Sequence, residues 1–118
     1  MCKSSEEGKL NGLGWIQTNV IKFNENKIKI PHMGWNEIIQ KRRSKLLNFN
    51  EEINWRFYFA HSFHISNIDK TEVDAYCTCN YGNEFICLIE KKNIFGVQFH
   101  PEKSHKFGFK LLNNFLNI

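Results

Sequence analysis

An α/β fold made mostly of strands, with one helix at its C-terminal end, is what this sequence predicts, on three observations. Short runs rich in β-branched and aromatic residues are separated by Asn-, Gly- and Lys-containing turn signals, the pattern of antiparallel strands with tight connections. The last segment changes period: Phe107, Leu111, Leu112, Phe115 and Leu116 fall on one helical stripe. A half-buried sheet with a single helix also leaves one sheet face poorly covered, so the chain reads as the second half of a larger α/β domain.

Gly8, Gly12 and Gly14 mark the opening stretch as loop. Trp15 to Phe23 reads as a strand, Asn24-Glu25-Asn26 as a turn, and the alternating Lys27-Ile28-Lys29-Ile30 as a second strand that Pro31 ends or places at an edge. Gly34 permits a tight backbone path, and a short helix is expected around Glu37–Lys41 within an otherwise polar, loop-like region 37–54. Trp55–Phe63, Val73–Cys79, Phe85–Ile89 and Ile94–Phe99 read as strands, with turns at Tyr81-Gly82-Asn83 and Lys91-Lys92-Asn93. Ser104 is the expected N-cap of the final helix.

The length of 118 residues fits one domain, with 11 Phe to fill a core. A net charge of +4 and a single basic run, Lys41-Arg42-Arg43, make a weak footprint for nucleic acid, and a solvated loop is the simpler reading. No apolar run is long enough to span a bilayer and the N-terminus has no apolar signal region, so no membrane role and a cytoplasmic location are expected. Cys2, Cys77, Cys79 and Cys87 form no CxxC pair and read as thiols in a reducing compartment, with Cys77 and Cys79 on one side of a strand. The five His residues lack a ligand spacing, so neither a metal nor an organic cofactor is expected.

The stretch that carries chemistry is Gly96-Val97-Gln98-Phe99-His100-Pro101-Glu102-Lys103-Ser104, an apolar strand ending in His, Pro and Glu just before a helix. Histidine moves protons near neutral pH, and a Glu two residues on lies on the same side of an extended segment. Glu102 is placed to accept from one imidazole nitrogen of His100, leaving the other as a base: two members of a nucleophile–base–orienter triad. Pro101 keeps His100 extended. Taken alone, the same three residues read more simply as a strand-end His and a solvated Glu near a helix start.

Context adds to this. Gln98-Phe99-His100-Pro101-Glu102-Lys103-Ser104 resembles the triad motif of class I glutamine amidotransferases. Pro31-His32-Met33-Gly34-Trp35-Asn36 and Phe57-Tyr58-Phe59-Ala60-His61-Ser62 are similar, in order, to two further signatures of the branch that forms the glutaminase subunit of imidazole glycerol phosphate synthase. The resemblance covers essentially the whole chain and implies a flavodoxin-like domain in which His100 is general base and then acid, and Glu102 orients it. It implies that Ser62 and Phe63 lie in the segment whose backbone holds L-glutamine, Phe63 standing where the family often has Tyr. It further implies that Met33, Trp35, Asn36, Tyr58 and Lys103 lie at or near an interface with a (β/α)8-barrel cyclase subunit that uses the ammonia in histidine biosynthesis. Core packing is the plainer reading of Trp35 and Tyr58.

One departure stands out. The family nucleophile sits in a Gly-x-Cys-x-Gly turn, and no such turn occurs here. Residues 1–118 are therefore expected to be a partial amidotransferase domain lacking the N-terminal part with that elbow, inactive by itself, with Met1–Gly8 the tail of the following helix and its loop. Two alternatives accompany this reading. A paralogous branch supplies ammonia for amination of surface-polysaccharide or flagellar sugars, and Gly12–Ile16 and Lys103–Gly108 look somewhat like it. The other is a non-catalytic, partner-binding remnant.

Overall fold

The computed structural model describes residues 1–47 and 53–118. The part of the polar region 37–54 that covers residues 48–52 lies outside the described residues. Among the described residues nine strands run in chain order: β1 (Cys2–Ser5), β2 (Ile16–Lys22), β3 (His32–Glu37), β4 (Ile39–Arg42), β5 (Arg56–His61), β6 (Phe63–Ile65), β7 (Ala75–Tyr81), β8 (Asn83–Lys91) and β9 (Ile94–Val97). A 3-10 turn (Pro101–Lys103) leads into α1 (His105–Leu116). The fold is thus mixed α/β, mostly strands with one C-terminal helix.

The main sheet has the order β1-β2-β6-β8-β7-β4, with β9 also paired to β8. Only β1 and β2 are parallel; the remaining ladders of this sheet are antiparallel. The β7–β8 hairpin turns at Gly82, whose φ of 75° is one that a side chain disfavours. β3 and β5 form a separate two-stranded ribbon with His32 opposite His61 and Trp35 opposite Tyr58. Along β3, His32 turns inward while Met33 and Trp35 turn outward; along β5, Phe57 and Phe59 are the buried pair.

Aromatic rings dominate the main core. Phe57 and Phe99 stack with centroids 3.9 Å apart, Trp55 lies parallel to Phe57 at 6.0 Å, and Phe59 meets Phe85 edge-on at 5.9 Å. Cys77, Cys79 and Cys87 complete the cluster as small hydrophobes. α1 contributes Gly108 and Leu111, both buried. Phe107 also keeps to the expected stripe, packing against Trp55 and Phe57, but Leu112, Phe115 and Leu116 are exposed, with Phe115 meeting Phe95 at 5.7 Å.

Several elements differ from the expectation. Lys27–Ile30 is not a strand: the amides of Lys27 and Ile28 both bond back to the Asn24 carbonyl, and the chain passes a cis Ile30–Pro31 peptide into β3. Glu37–Lys41 is not helical, because Ile39 and Gln40 pair with Thr78 and Cys77 of β7. Trp55–Phe63 is two strands broken at Ser62. Met1–Gly8 is not a helix tail: the carbonyls of Met1, Cys2 and Lys3 are satisfied by amides of Ile16, Gly14 and Gly12, which holds this segment extended as β1. The basic run is tied into the fold, with Lys41 Nζ 2.9 Å from Glu84 and Arg42 Nη1 donating to the carbonyls of Lys70 and Val73.

Candidate active site

Phe99 anchors the segment that carries His100. Its ring is buried against Phe57, so the extended backbone turns the next side chain away from that core. Backbone pairing continues past β9: the Gln98 amide donates to Cys87, and the His100 amide donates to Tyr58 of β5 at 2.9 Å. Ser104 then secures the same point. Its fully buried hydroxyl donates to the His100 carbonyl at 2.6 Å and accepts from the Tyr58 amide at 2.9 Å. It is therefore not the side-chain cap expected for α1. Its own φ and ψ of −103° and 20° do not match an N-cap, and its oxygen is already bound to the strand. Gly108 allows the helix to lie this close, since a Cβ there would sit 1.7 Å from the Pro101 carbonyl oxygen.

His100 Nδ1 lies 2.8 Å from Glu102 Oε1. A carboxylate only accepts, so Nδ1 carries the proton and Nε2 presents its lone pair. The two side chains are 37% and 62% exposed, so the pair is open to a reactant. Glu102 is held below the usual carboxylate range, first by its own backbone amide and then by the His100 imidazole. An ionised carboxylate that fixes the tautomer of the neighbouring imidazole is the arrangement that a base and its orienter take in a nucleophilic triad.

Ser62 and Phe63 line a cleft of about 390 Å³ that also takes in Ser5, Glu7, His61 and Gln98. The carbonyls of the bend are engaged: Ser62 accepts from the Phe23 amide at 3.0 Å, and Phe63 accepts from His61 Nδ1 at 2.8 Å. Ser5, Glu7 and His61 had not been singled out, because only the parallel β1–β2 pairing and the β5–β6 bend bring them to the cleft. A smaller opening of about 110 Å³ on the other part of the sheet is walled by Met1, Ile16, Ile65, Ile86, Ile89 and Val97 and offers little polar chemistry.

None of the four thiols is an activated nucleophile. Burial pushes Cys77 and Cys79 up to about 12, holds Cys87 well above the ordinary thiol value, and raises Cys2 as well. Among the described residues no cluster of His, Cys, Asp or Glu is placed to hold a metal ion, and no helix is long and apolar enough to cross a membrane.

The ribbon brings Met33, Trp35 and Tyr58 together. Met33 is 62% exposed and Trp35 42%, and the Trp35 ring meets Tyr58 edge-on at 6.3 Å and His105 in a stack at 5.6 Å. Lys103 is exposed on the 3-10 turn, next to Glu102. Asn36 stands apart: its amide donates to the Asn80 carbonyl at 2.8 Å, and its Nδ2 lies 3.4 Å from His32 Nε2.

The family model "Glutamine amidotransferase class-I" matches residues 9–118. Among curated proteins, the chain is 50% identical over 117 residues to "Imidazole glycerol phosphate synthase subunit HisH 2" of Methanococcus maripaludis, an alignment covering 98% of this chain and 56% of that protein. It is 46% identical over 122 residues to the HisH subunit of Leptospira borgpetersenii, covering 100% of this chain and 58% of that one. With HisH 2 of Pseudomonas aeruginosa the identity is 43% over 116 residues, at 97% and 55% coverage. The chain thus spans a little over half the length of these relatives.

Proposed function

This chain belongs to the class I glutamine amidotransferase family, and from that premise we propose that it forms part of a glutaminase subunit that supplies ammonia to the cyclase subunit of imidazole glycerol phosphate synthase, in histidine biosynthesis. The observation that carries the reading is the His100–Glu102 pair, 2.8 Å apart and open to solvent on a chain half identical to a HisH subunit. In this reading Nε2 of His100 takes the proton of a cysteine thiol in a Gly-x-Cys-x-Gly turn, which these 118 residues do not include. The thiolate attacks the side-chain amide carbon of L-glutamine. His100 returns the proton to the departing nitrogen, ammonia leaves, and a thioester remains. Water, deprotonated by the same Nε2, then hydrolyses the thioester to glutamate. Glu102 keeps the proton on Nδ1 throughout, and the Ser62–Phe63 bend holds the backbone end of glutamine in the adjoining cleft.

Met33, Trp35 and Tyr58, with Lys103 at the rim and Asn36 behind them, form the surface assigned to the barrel-shaped cyclase. Outward aromatics beside an exposed cation are the make-up of an interface anchor and its rim. The test is a chimaera joining the segment of the M. maripaludis relative that this chain does not align with to Met1, assayed with a cyclase for ammonia release from glutamine and for growth without histidine. Glutaminase activity that falls about 10³-fold or more in His100→Ala is expected. Activity that survives the substitution would remove His100 from the chemistry.

A further inference from the structure

The bend at Ser62 is closed by a side chain. His61 ends β5, and its ring reaches over Ser62 so that Nδ1 lies 2.8 Å from the Phe63 carbonyl. A carbonyl only accepts, so Nδ1 of His61 is protonated and Nε2 of the neutral ring is an acceptor. That Nε2 lies 2.9 Å from His32 Nδ1, which must therefore carry its own proton and leave His32 Nε2 as an acceptor. The Asn36 amide faces this last nitrogen at 3.4 Å, the longest link of the series. Its orientation is fixed by two other contacts: Nδ2 donates to Asn80 at 2.8 Å, and Oδ1 accepts from the Glu37 amide at 2.9 Å. Every donor and acceptor from Asn36 to Phe63 thus points one way.

We infer that His32 and His61 are positioning residues, forming with Asn36 a hydrogen-bond chain of fixed polarity that ties strand β3, with Met33 and Trp35 on its outward face, to the Ser62–Phe63 bend at the cleft. The role of the bend in holding glutamine rests on the function proposed above; the chain of bonds does not. Packing keeps it in place, because the His32 ring is 3% exposed and lies between Phe59 and Tyr81, with centroids 4.8 and 4.0 Å away. Burial also keeps the rings neutral, drawing His32 down to about 4 and lowering His61, which additionally faces His64 and His100. A second proton on either ring would reverse a link. A displacement of β3 by a docking partner is carried to the Phe63 carbonyl through two directional bonds, His32 to His61 and His61 to Phe63, rather than through yielding apolar contacts.

Nitrogen-15 spectra of the imidazoles in the 118-residue protein at pH 7.5 test this directly. Both His32 and His61 are expected as the Nδ1–H tautomer, the minor form of free histidine. Asn36→Asp replaces the donor by an acceptor, so His32 is expected to change tautomer or take up a proton, with shifts at the His61 ring and at the Ser62 and Phe63 amides. His32→Phe, which keeps a ring between Phe59 and Tyr81, serves as a second variant and should free His61 Nε2 with the same downstream shifts. An Nε2–H tautomer at either histidine, or ring and bend signals unmoved by both variants, overturns the inference. Titration with L-glutamine separates the two claims. Weaker binding in the variants, by about fivefold or more, supports coupling to the substrate pocket. Correct tautomers and shifted bend signals with no glutamine binding in the parent protein leave the bond chain standing and count against the pocket reading.

Discussion

His61 and His100 both stand where a strand ends, and both place Nδ1 2.8 Å from an oxygen. The oxygen and the surroundings differ. His100 meets an ionised carboxylate at an open edge, so its ring is oriented while Nε2 stays available. His61 meets a backbone carbonyl under cover and gives its other nitrogen to His32 at 2.9 Å. In the readings proposed above, the same side chain serves chemistry in one place and geometry in the other. What separates them is whether the oxygen is charged and whether the second nitrogen is already bonded.

Acid should break the buried member of this comparison first. His32 is neutral in the fold, with burial and the neighbouring His61 drawing it from 6.5 to about 4, and His61 and His64 move the same way. Between about pH 6.5 and 4 the unfolded chain binds protons that the folded chain refuses, so stability falls as pH drops through this window. For His32 alone the loss is on the order of 2–3 kcal/mol by pH 4.5. Urea unfolding of the parent protein and of His32→Phe at pH 7.5 and 4.5 checks it. The parent should lose more than the variant by roughly that amount, and parallel losses would remove the histidine cluster as the acid trigger.

The two sites also differed in how far the sequence revealed them. His100 and Glu102 are two residues apart, so an extended backbone alone predicts their contact, and three ordered motifs supply the context. His32 and His61 are 29 residues apart, and only the β3–β5 register places them opposite each other. Without that register the histidines read as scattered. The strands that came out well, β2, β7, β8 and β9, carry their own turn signals at Asn24, Gly82 and Lys92. The errors fall where a nonlocal bond decides the local shape. Alternating Lys27–Ile30 lost to amides bonded back to Asn24, polar Ile39–Arg42 became an edge strand through pairing with β7, and the aromatic run through Phe63 broke where the His61 ring bonds forward over Ser62. Ser104 reads in the sequence as a helix cap, whereas its acceptor and donor lie on His100 and on a strand 46 residues away.

Removing that hydroxyl sharpens the comparison from the side of His100. Ser104→Ala leaves the buried Tyr58 amide and the His100 carbonyl without their shared partner, and the expected destabilisation is about 1–2 kcal/mol. Faster hydrogen exchange at the Tyr58 amide should accompany it. An unchanged Tyr58 amide would mean that the β5–His100 bridge holds without the serine.

The smallest effect is expected at the exposed pair itself. Glu102→Gln keeps an acceptor oxygen within reach of His100 Nδ1 but removes the charge, at a side chain that is 62% exposed. Water screens that charge already, so folding stability should be nearly unchanged. In the chimaera the same substitution should still lower glutamine hydrolysis, because an imidazolium formed during the reaction loses the carboxylate that balances it. Thermal unfolding and turnover of one variant thus read the two roles separately. A Glu102→Gln protein destabilised as much as Ser104→Ala would place the carboxylate among the groups that hold the fold, and would erase the distinction between the open histidine and the buried one.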